Sequence, residues 1–180
     1  MIRLATLNDL PEILEIYDYA RQFMRAQGNP TQWGDSHPEK EILEYDINNG
    51  NLFVIENSAH DVDSKLAENS THCAPSRSGS IDGVFAFIIG EDSTYYIIDN
   101  GQWASNDTYG TIHRVASAKG ASGIVTATID YCKTMHPYIR IDTHEKNLVM
   151  QHLIEKSGFK KSGIIYAYDG SPRLAYELLP

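Results

Sequence analysis

From residue 109 onward the spacing of apolar side chains changes period four times, and that alternation restricts the possible folds more than any other feature of the chain. Residues 109–116 read as a strand. Val125, Ile129 and Cys132 then recur at helical spacing, 138–142 alternate, and Leu148, Val149, Leu153 and Ile154 step helically again before Gly158. Two short strands, 163–168 and 173–178, follow around Asp169-Gly170-Ser171-Pro172, a run of turn formers that predicts a hairpin. Strand, helix, strand, helix, hairpin is the order of a mixed α/β sheet with helices on both faces.

The first half supplies the remaining strands. Ile2-Arg3-Leu4-Ala5 alternates as a strand. Thr6-x-x-Asp9 is a capping-box signature ahead of Leu10, Ile13, Leu14, Tyr17, Ala20 and Met24, which share a helical face. Gly28-Asn29-Pro30 ends that helix. A second helix is expected over 38–49, with Pro38 in its first turn and Gly50 just past its end. Residues 51–56 and 83–89 read as strands, the latter so continuously apolar that both its faces are expected to be buried. Between them 57–82 is rich in Ser, Asn, Asp and His and reads as a flexible insertion, because it has too little apolar surface to order itself. At 180 residues and 42% hydrophobic content, a single domain over 1–180 is expected.

Charge and cysteine usage remove several function classes. The balance of 15 basic and 24 acidic residues gives 15 − 24 = −9, without a Lys/Arg cluster, so no nucleic-acid partner is expected. Apolar runs such as 84–89 fall far short of the ~20 residues that span a bilayer, and no secretory signal pattern opens the sequence. A cytoplasmic protein without membrane contact is the expectation. Cys73 and Cys132 form no C-x-x-C pair, and His136, His144 and His152 at eight-residue intervals lack metal-ligand spacing, so no metal is expected.

The junction after the 109–116 strand carries the first chemical signal. A helix start presents unpartnered main-chain N–H groups and about half a positive charge, which suits a diphosphate even in an acidic protein. Gly120 and Gly123 let the backbone approach such a ligand, Lys119 can add a point charge, and Ala118, Ala121 and Ser122 keep the mouth open. An ordinary glycine-containing turn is the other reading. Neither G-x-x-x-x-G-K-[ST] nor G-x-G-x-x-G is present, so nucleotide-hydrolase and dinucleotide-binding readings lose their main support.

The run Ile112-His113-Arg114-Val115-Ala116-Ser117-Ala118-Lys119-Gly120-Ala121-Ser122 resembles the strand-to-helix segment of GNAT acetyltransferases, whose signature is R/Q-x-x-G-x-G/A, with Ser117 and Ser122 departing at its ends. Three further stretches resemble the same family: the opening Ile2–Pro11 region, Ile141-Asp142-Thr143-His144-Glu145-Lys146-Asn147, and Leu153-Ile154-Glu155-Lys156-Ser157-Gly158-Phe159. The resemblance implies a mixed, mostly antiparallel sheet of six to seven strands with about four helices and a V-shaped cleft between the fourth and fifth strands. It implies acetyl-CoA as acyl donor, with Val115 and Ala116 beside the cofactor arm and the amides of Lys119, Gly120, Ala121, Ser122 and Gly123 on its pyrophosphate. Asn147 falls where the family often has a cofactor-binding asparagine; a helix N-cap is its other reading. Many relatives carry a tyrosine as general acid where this chain has Ile154.

Acetyl transfer to an amine needs a neutral nucleophile, a donor for the developing oxyanion and a proton route. A main-chain amide near Val115 can be the donor. His144, just past the fifth strand, is the first candidate base and His113, on the fourth, the second. Asp142 can attract an ammonium group, and the Trp33 indole, in the loop between the first two helices, can face a cationic amine. The expected function is transfer of acetyl from acetyl-CoA to a primary amine of a small molecule by direct attack in a ternary complex. The alternative, motivated by Ile154, is an acyl-CoA-binding regulatory module without turnover. The aromatic stretch 95–103 offers a third reading, a partner-binding surface, and a homodimer stays open.

Overall fold

The computed structural model describes residues 1–57 and 80–180, so Cys73 and nearly all of the insertion expected over 57–82 lie outside the described residues. β1 (Ile2–Leu4) leads through a 3-10 turn (Leu7–Asp9) into α1 (Leu10–Ala26). The capping box forms as its signature predicts, with the Asp9 carboxylate accepting from Thr6 N and Oγ1 at 2.8 Å each. The same carboxylate takes two bonds from the Arg3 guanidinium, at 2.8 and 2.9 Å. Arg3 holds the Asp9 carboxyl at about 2, below the usual 3.8.

A carboxyl depressed in the folded state contributes stability that is present above its unfolded value and disappears as pH falls through the folded one. Asp9→Asn is therefore expected to cost about 1–2 kcal/mol at pH 7, discounted for the partly exposed Arg3. In chemical denaturation at successive pH values, that difference should shrink between about pH 4 and pH 2. A deficit that stays constant over this range would exclude the ion pair as its source.

α2 (Lys40–Asn48) starts two residues later than expected, because Pro38 precedes the N-cap Glu39 instead of occupying the first turn. β2 (Leu52–Glu56) and β3 (Ile81–Ile89) pair antiparallel, and Ile81 and Asp82, assigned to the insertion from sequence, open β3. β4 (Gly110–Ser117), α3 (Ile124–Met135), β5 (Ile139–Thr143), α4 (Leu148–Lys156), β6 (Lys160–Tyr166) and β7 (Pro172–Leu178) follow in the expected order. The seven strands form one sheet in the order β1-β2-β3-β4-β5-β7-β6, antiparallel throughout except for β4 and β5.

Period-2 alternation divides the apolar residues between two layers. Leu52 and Val54 pack under α1 and α2 with Leu10, Ile13 and Leu43, whereas Phe53 and Ile55 join Ile129, Cys132 and Ile154 under α3 and α4. Leu148 and Val149, expected on the packed face of α4, are instead exposed. A third cluster corrects the partner-surface reading of 95–103. Tyr95 is 1% exposed among Tyr109 and Tyr138, and Trp103 stacks on it at 5.5 Å, so these rings form core while Tyr96 and Ile97 keep the outward face. Among the described residues no helix is long and apolar enough to cross a membrane.

Candidate active site

β4 and β5 are hydrogen-bonded neighbours over only three register pairs, from Gly110↔Ile139 to Ile112↔Ile141. Beyond Ile112 the strands part, and residues 113–117 of β4 have no partner on β5. A bulge enlarges the gap: Ala86 opposes His113 while Val84 opposes Ala116, so Arg114 and Val115 together face Phe85. Arg114 adopts φ 54°, a conformation uncommon outside glycine. Two helices hold it there. Tyr17 Oη on α1 donates to the Arg114 carbonyl at 2.7 Å, and Asp46 on α2 accepts from Arg114 Nη2 at 2.6 Å. Burial pushes the Asp46 carboxyl up, against the pull of the guanidinium.

The bulge also places consecutive residues on one side. Ile112 and Val115 pack toward α3 and α4, whereas His113 and Arg114 share the side of α1 and α2. A cleft of about 980 Å³ runs through this opening. Val115, Ala116 and residues 120–123 are among its lining. Gly120 and Gly123 have φ of 82° and 75°, and a Cβ at either would meet no atom within 4 Å, so the loop presents bare backbone to open space. These are the features that an adenosine diphosphate-bearing thioester requires, a cradle of main-chain amides beside an unpaired strand edge. Lys119 is exposed and is not among the lining residues.

On the opposite side the cleft meets Trp33, His113, Asp142 and Arg173. His113 Nε2 lies 2.9 Å from Asp92 Oδ2. The other Asp92 oxygen accepts from Thr94 N and Oγ1 at 2.9 and 2.7 Å, capping the 3-10 turn Ser93–Tyr95 and anchoring the carboxylate. Burial works to raise Asp92, but the His113 hydrogen bond and charge, with the Thr94 donors, overcome it and bring the carboxyl down to about 2. Tyr95 Oη donates to Asp142 Oδ1 at 2.7 Å, its phenol pushed up by burial and by that carboxylate. Trp33 stands edge-on to Tyr17 at 5.5 Å.

Asn147 occupies the cleft wall but its side chain is engaged on both ends. Oδ1 caps α4 by accepting from Met150 N at 3.2 Å, and Nδ2 donates to Gln32 Oε1 at 3.1 Å. His144 is not among the cleft-lining residues; its Nδ1 accepts from Lys146 N, and burial together with Arg173 lowers its pKa. Sequence reading did not find Asp92, Arg173 or the Arg114–Asp46 pair. Asp92-Ser93-Thr94 carries a turn-cap signal, but nothing in it shows that the second oxygen reaches His113. Among the described residues no group of three His, Cys, Asp or Glu is placed to hold a metal ion.

No family model and no curated protein matches the chain. Solved structures do. A GNAT-family acetyltransferase from Streptococcus agalactiae is 28% identical with a TM-score of 0.80, covering 100% of this chain and 95% of that one. A ribosomal-protein-alanine N-acetyltransferase from Brucella melitensis shares the fold at 16% identity and a TM-score of 0.57, over 100% and 99% of the two chains. So does a Salmonella typhimurium protein assigned to the acetyltransferases and solved with its cofactor acetyl-CoA, at 16% identity and 0.55, over 99% and 92%. Parted parallel strands, a bulge on the first of them, an open glycine cradle and a full-length match of 28% identity agree: the chain has the fold of the GNAT N-acetyltransferases and is similar to them over its full length.

Proposed function

We propose that the protein transfers acetyl from acetyl-CoA to the primary amine of a small molecule, by direct attack within a ternary complex. The observation that carries this reading is the parting of β4 from β5 directly above an open, glycine-bearing loop. Bound acetyl-CoA supplies an activated thioester carbonyl. The unpaired edge of β4 at Val115 and Ala116 holds its arm, and the amides of 119–123 hold its pyrophosphate, with Asn147 beside the arm. Bulging leaves main-chain groups outside the ladder, and the Val115 N–H is the donor for the developing oxyanion.

His113, in preference to His144, takes the proton from the attacking amine. Ionised Asp92 can only accept, so it fixes the Nε2–H tautomer of His113 and leaves Nδ1 as the basic nitrogen. Trp33 and Asp142 position the acceptor. Among the described residues direct attack is favoured, because their one cysteine, Cys132, is fully buried with its thiol pushed up to about 12, and so offers no thiolate to carry the acetyl group. Ile154, at the position of the usual acid, is 0% exposed in the core. With a thiolate as leaving group, positioning of the reactants, at best about 7–11 kcal/mol, carries the rate without a dedicated acid.

The test is release of free thiol from acetyl-CoA across an amine panel, paired with calorimetric acetyl-CoA affinity. Gly120→Trp and Ser122→Trp both put an indole in the cradle, the second without the left-handed backbone, and each is expected to weaken affinity about tenfold or more. Full affinity in both variants would move the cofactor elsewhere. Binding without acetylation of any amine would favour the regulatory-module reading. A cytoplasmic location and a homodimer belong to the same proposal, checked by cell fractionation and light scattering.

A further inference from the structure

The acceptor half of the cleft has an ordered arrangement of charge. Asp142 and Ala175 are register partners on β5 and β7, so Arg173, two residues from Ala175, shares their face of the sheet. Arg173 is 7% exposed, lines the cleft, and stands with Nε 3.9 Å from Asp142 Oδ2, beyond hydrogen-bond range. Its other partners are two carbonyls at the long end of hydrogen bonding, Pro172 at 3.3 Å from Nη1 and Gln32 at 3.2 Å from Nη2. A guanidinium has five N–H donors in a planar fork suited to a carboxylate, so this one keeps donors to spare in a nine-tenths buried position.

Its neighbours are committed differently. Asp142 is held by Tyr95, whose ring lies 6.1 Å from that of His113, and His113 is held by Asp92. Negative, basic and positive groups thus form one continuous row from Asp92 to Arg173. The other carboxylates on this half, Asp35, Glu39 and Asp169, sit exposed at the mouth and are already engaged, Asp35 by Arg25, Asp169 by Ser171 and Glu39 by Ser36 and His37.

Resting on the acetyl-transfer reading, we propose that the acceptor is an amino acid: Arg173 takes its carboxylate while its amino group lies against Asp142 and His113. A zwitterion matches both ends of the row. A diamine of similar length would set its second ammonium against the buried guanidinium, and an amide in place of the carboxylate would leave that guanidinium without its anion.

The experiment compares the L-amino acids with their carboxamides and with putrescine and spermidine, by thiol release and by the melting-temperature shift each produces in the presence of coenzyme A. At least one amino acid is expected to exceed its own carboxamide in kcat/KM by about 10- to 100-fold, the scale on which a charge-assisted hydrogen bond matters in a buried site. Arg173→Met should collapse that ratio, and Arg173→Lys should restore part of it. Equal use of acid and amide by the native protein would overturn the proposal, as would preference for a diamine. So would an equal loss on both substrates in Arg173→Met, since that is what a purely structural arginine would give. The melting shift reads acceptor binding without turnover. If thiol release fails for every amine while an amino acid still protects the native protein but not Arg173→Met, the transfer reading fails and the acceptor reading stands.

Discussion

His113→Gln is expected to lower kcat by about 10²- to 10³-fold, within the range that a positioned general base contributes. Acetyl-CoA affinity should change little, because the imidazole lies on the face opposite the glycine cradle. Asp92→Asn should give a smaller loss of the same kind: an amide can donate where the carboxylate only accepts, so the ring is no longer held with its proton on Nε2. Asp92 is depressed to about 2, so its charge persists down to pH values far below the working range. A fall in rate on moderate acidification therefore does not arise from Asp92. His144→Gln is the matched control, since that ring turns to Lys146 N and lies outside the cleft. Steady-state kinetics with melting curves for all three variants decide the matter. A large loss in His144→Gln with little in His113→Gln would reverse the assignment.

Periodicity alone made most of the sheet legible, because faces that bury apolar side chains must repeat them at the spacing of the element. α1 formed where its apolar spacing put it, and the β6–β7 hairpin formed around the expected turn, with β6 starting three residues and ending two residues earlier than alternation placed it. The V between β4 and β5 was legible only through family resemblance, since no local pattern says where two parallel strands cease to pair. Long-range polar pairings were illegible for a related reason. Arg173 opens a strand on which Leu174, Tyr176 and Leu178 alternate with Arg173, Ala175 and Glu177, so its polar face reads as solvent-exposed. In the fold that face is covered by the 98–105 segment and the loop after α1, and Arg173 and Glu177 are both 7% exposed. The stretch 95–103 failed in the opposite sense. Its aromatics read as a surface because they lie in a turn-rich segment, yet they cap the end of the sheet and stack over buried Arg140, whose guanidinium lies 4.0 Å from the Trp103 ring and 3.8 Å from that of Tyr109.

Of the buried polar pairs, Asp46 with Arg114 is the one on which site geometry depends. The pair sits at 2.6 Å with side-chain exposures of 14% for the arginine and 3% for the aspartate, and Arg114 Nε already lacks a partner. Removing one member of such a pair leaves an uncompensated charge, which costs about 3–5 kcal/mol, while removing both is far milder. Asp46→Ala is thus expected to lower the melting temperature by about 8–15 °C at this chain length. Arg114→Met placed on top of Asp46→Ala should recover at least half of that loss. Activity should not recover with it. The unusual φ of Arg114 is maintained by two attachments, Asp46 on the side chain and Tyr17 on the carbonyl, and a bulge held by one of them is free to relax toward regular pairing. Relaxation would withdraw the Val115 N–H from the oxyanion and turn His113 away from the acceptor in one movement. If Asp46→Ala unfolds as the native protein does, the bulge is held by the strand itself, and α2 has no part in shaping the site.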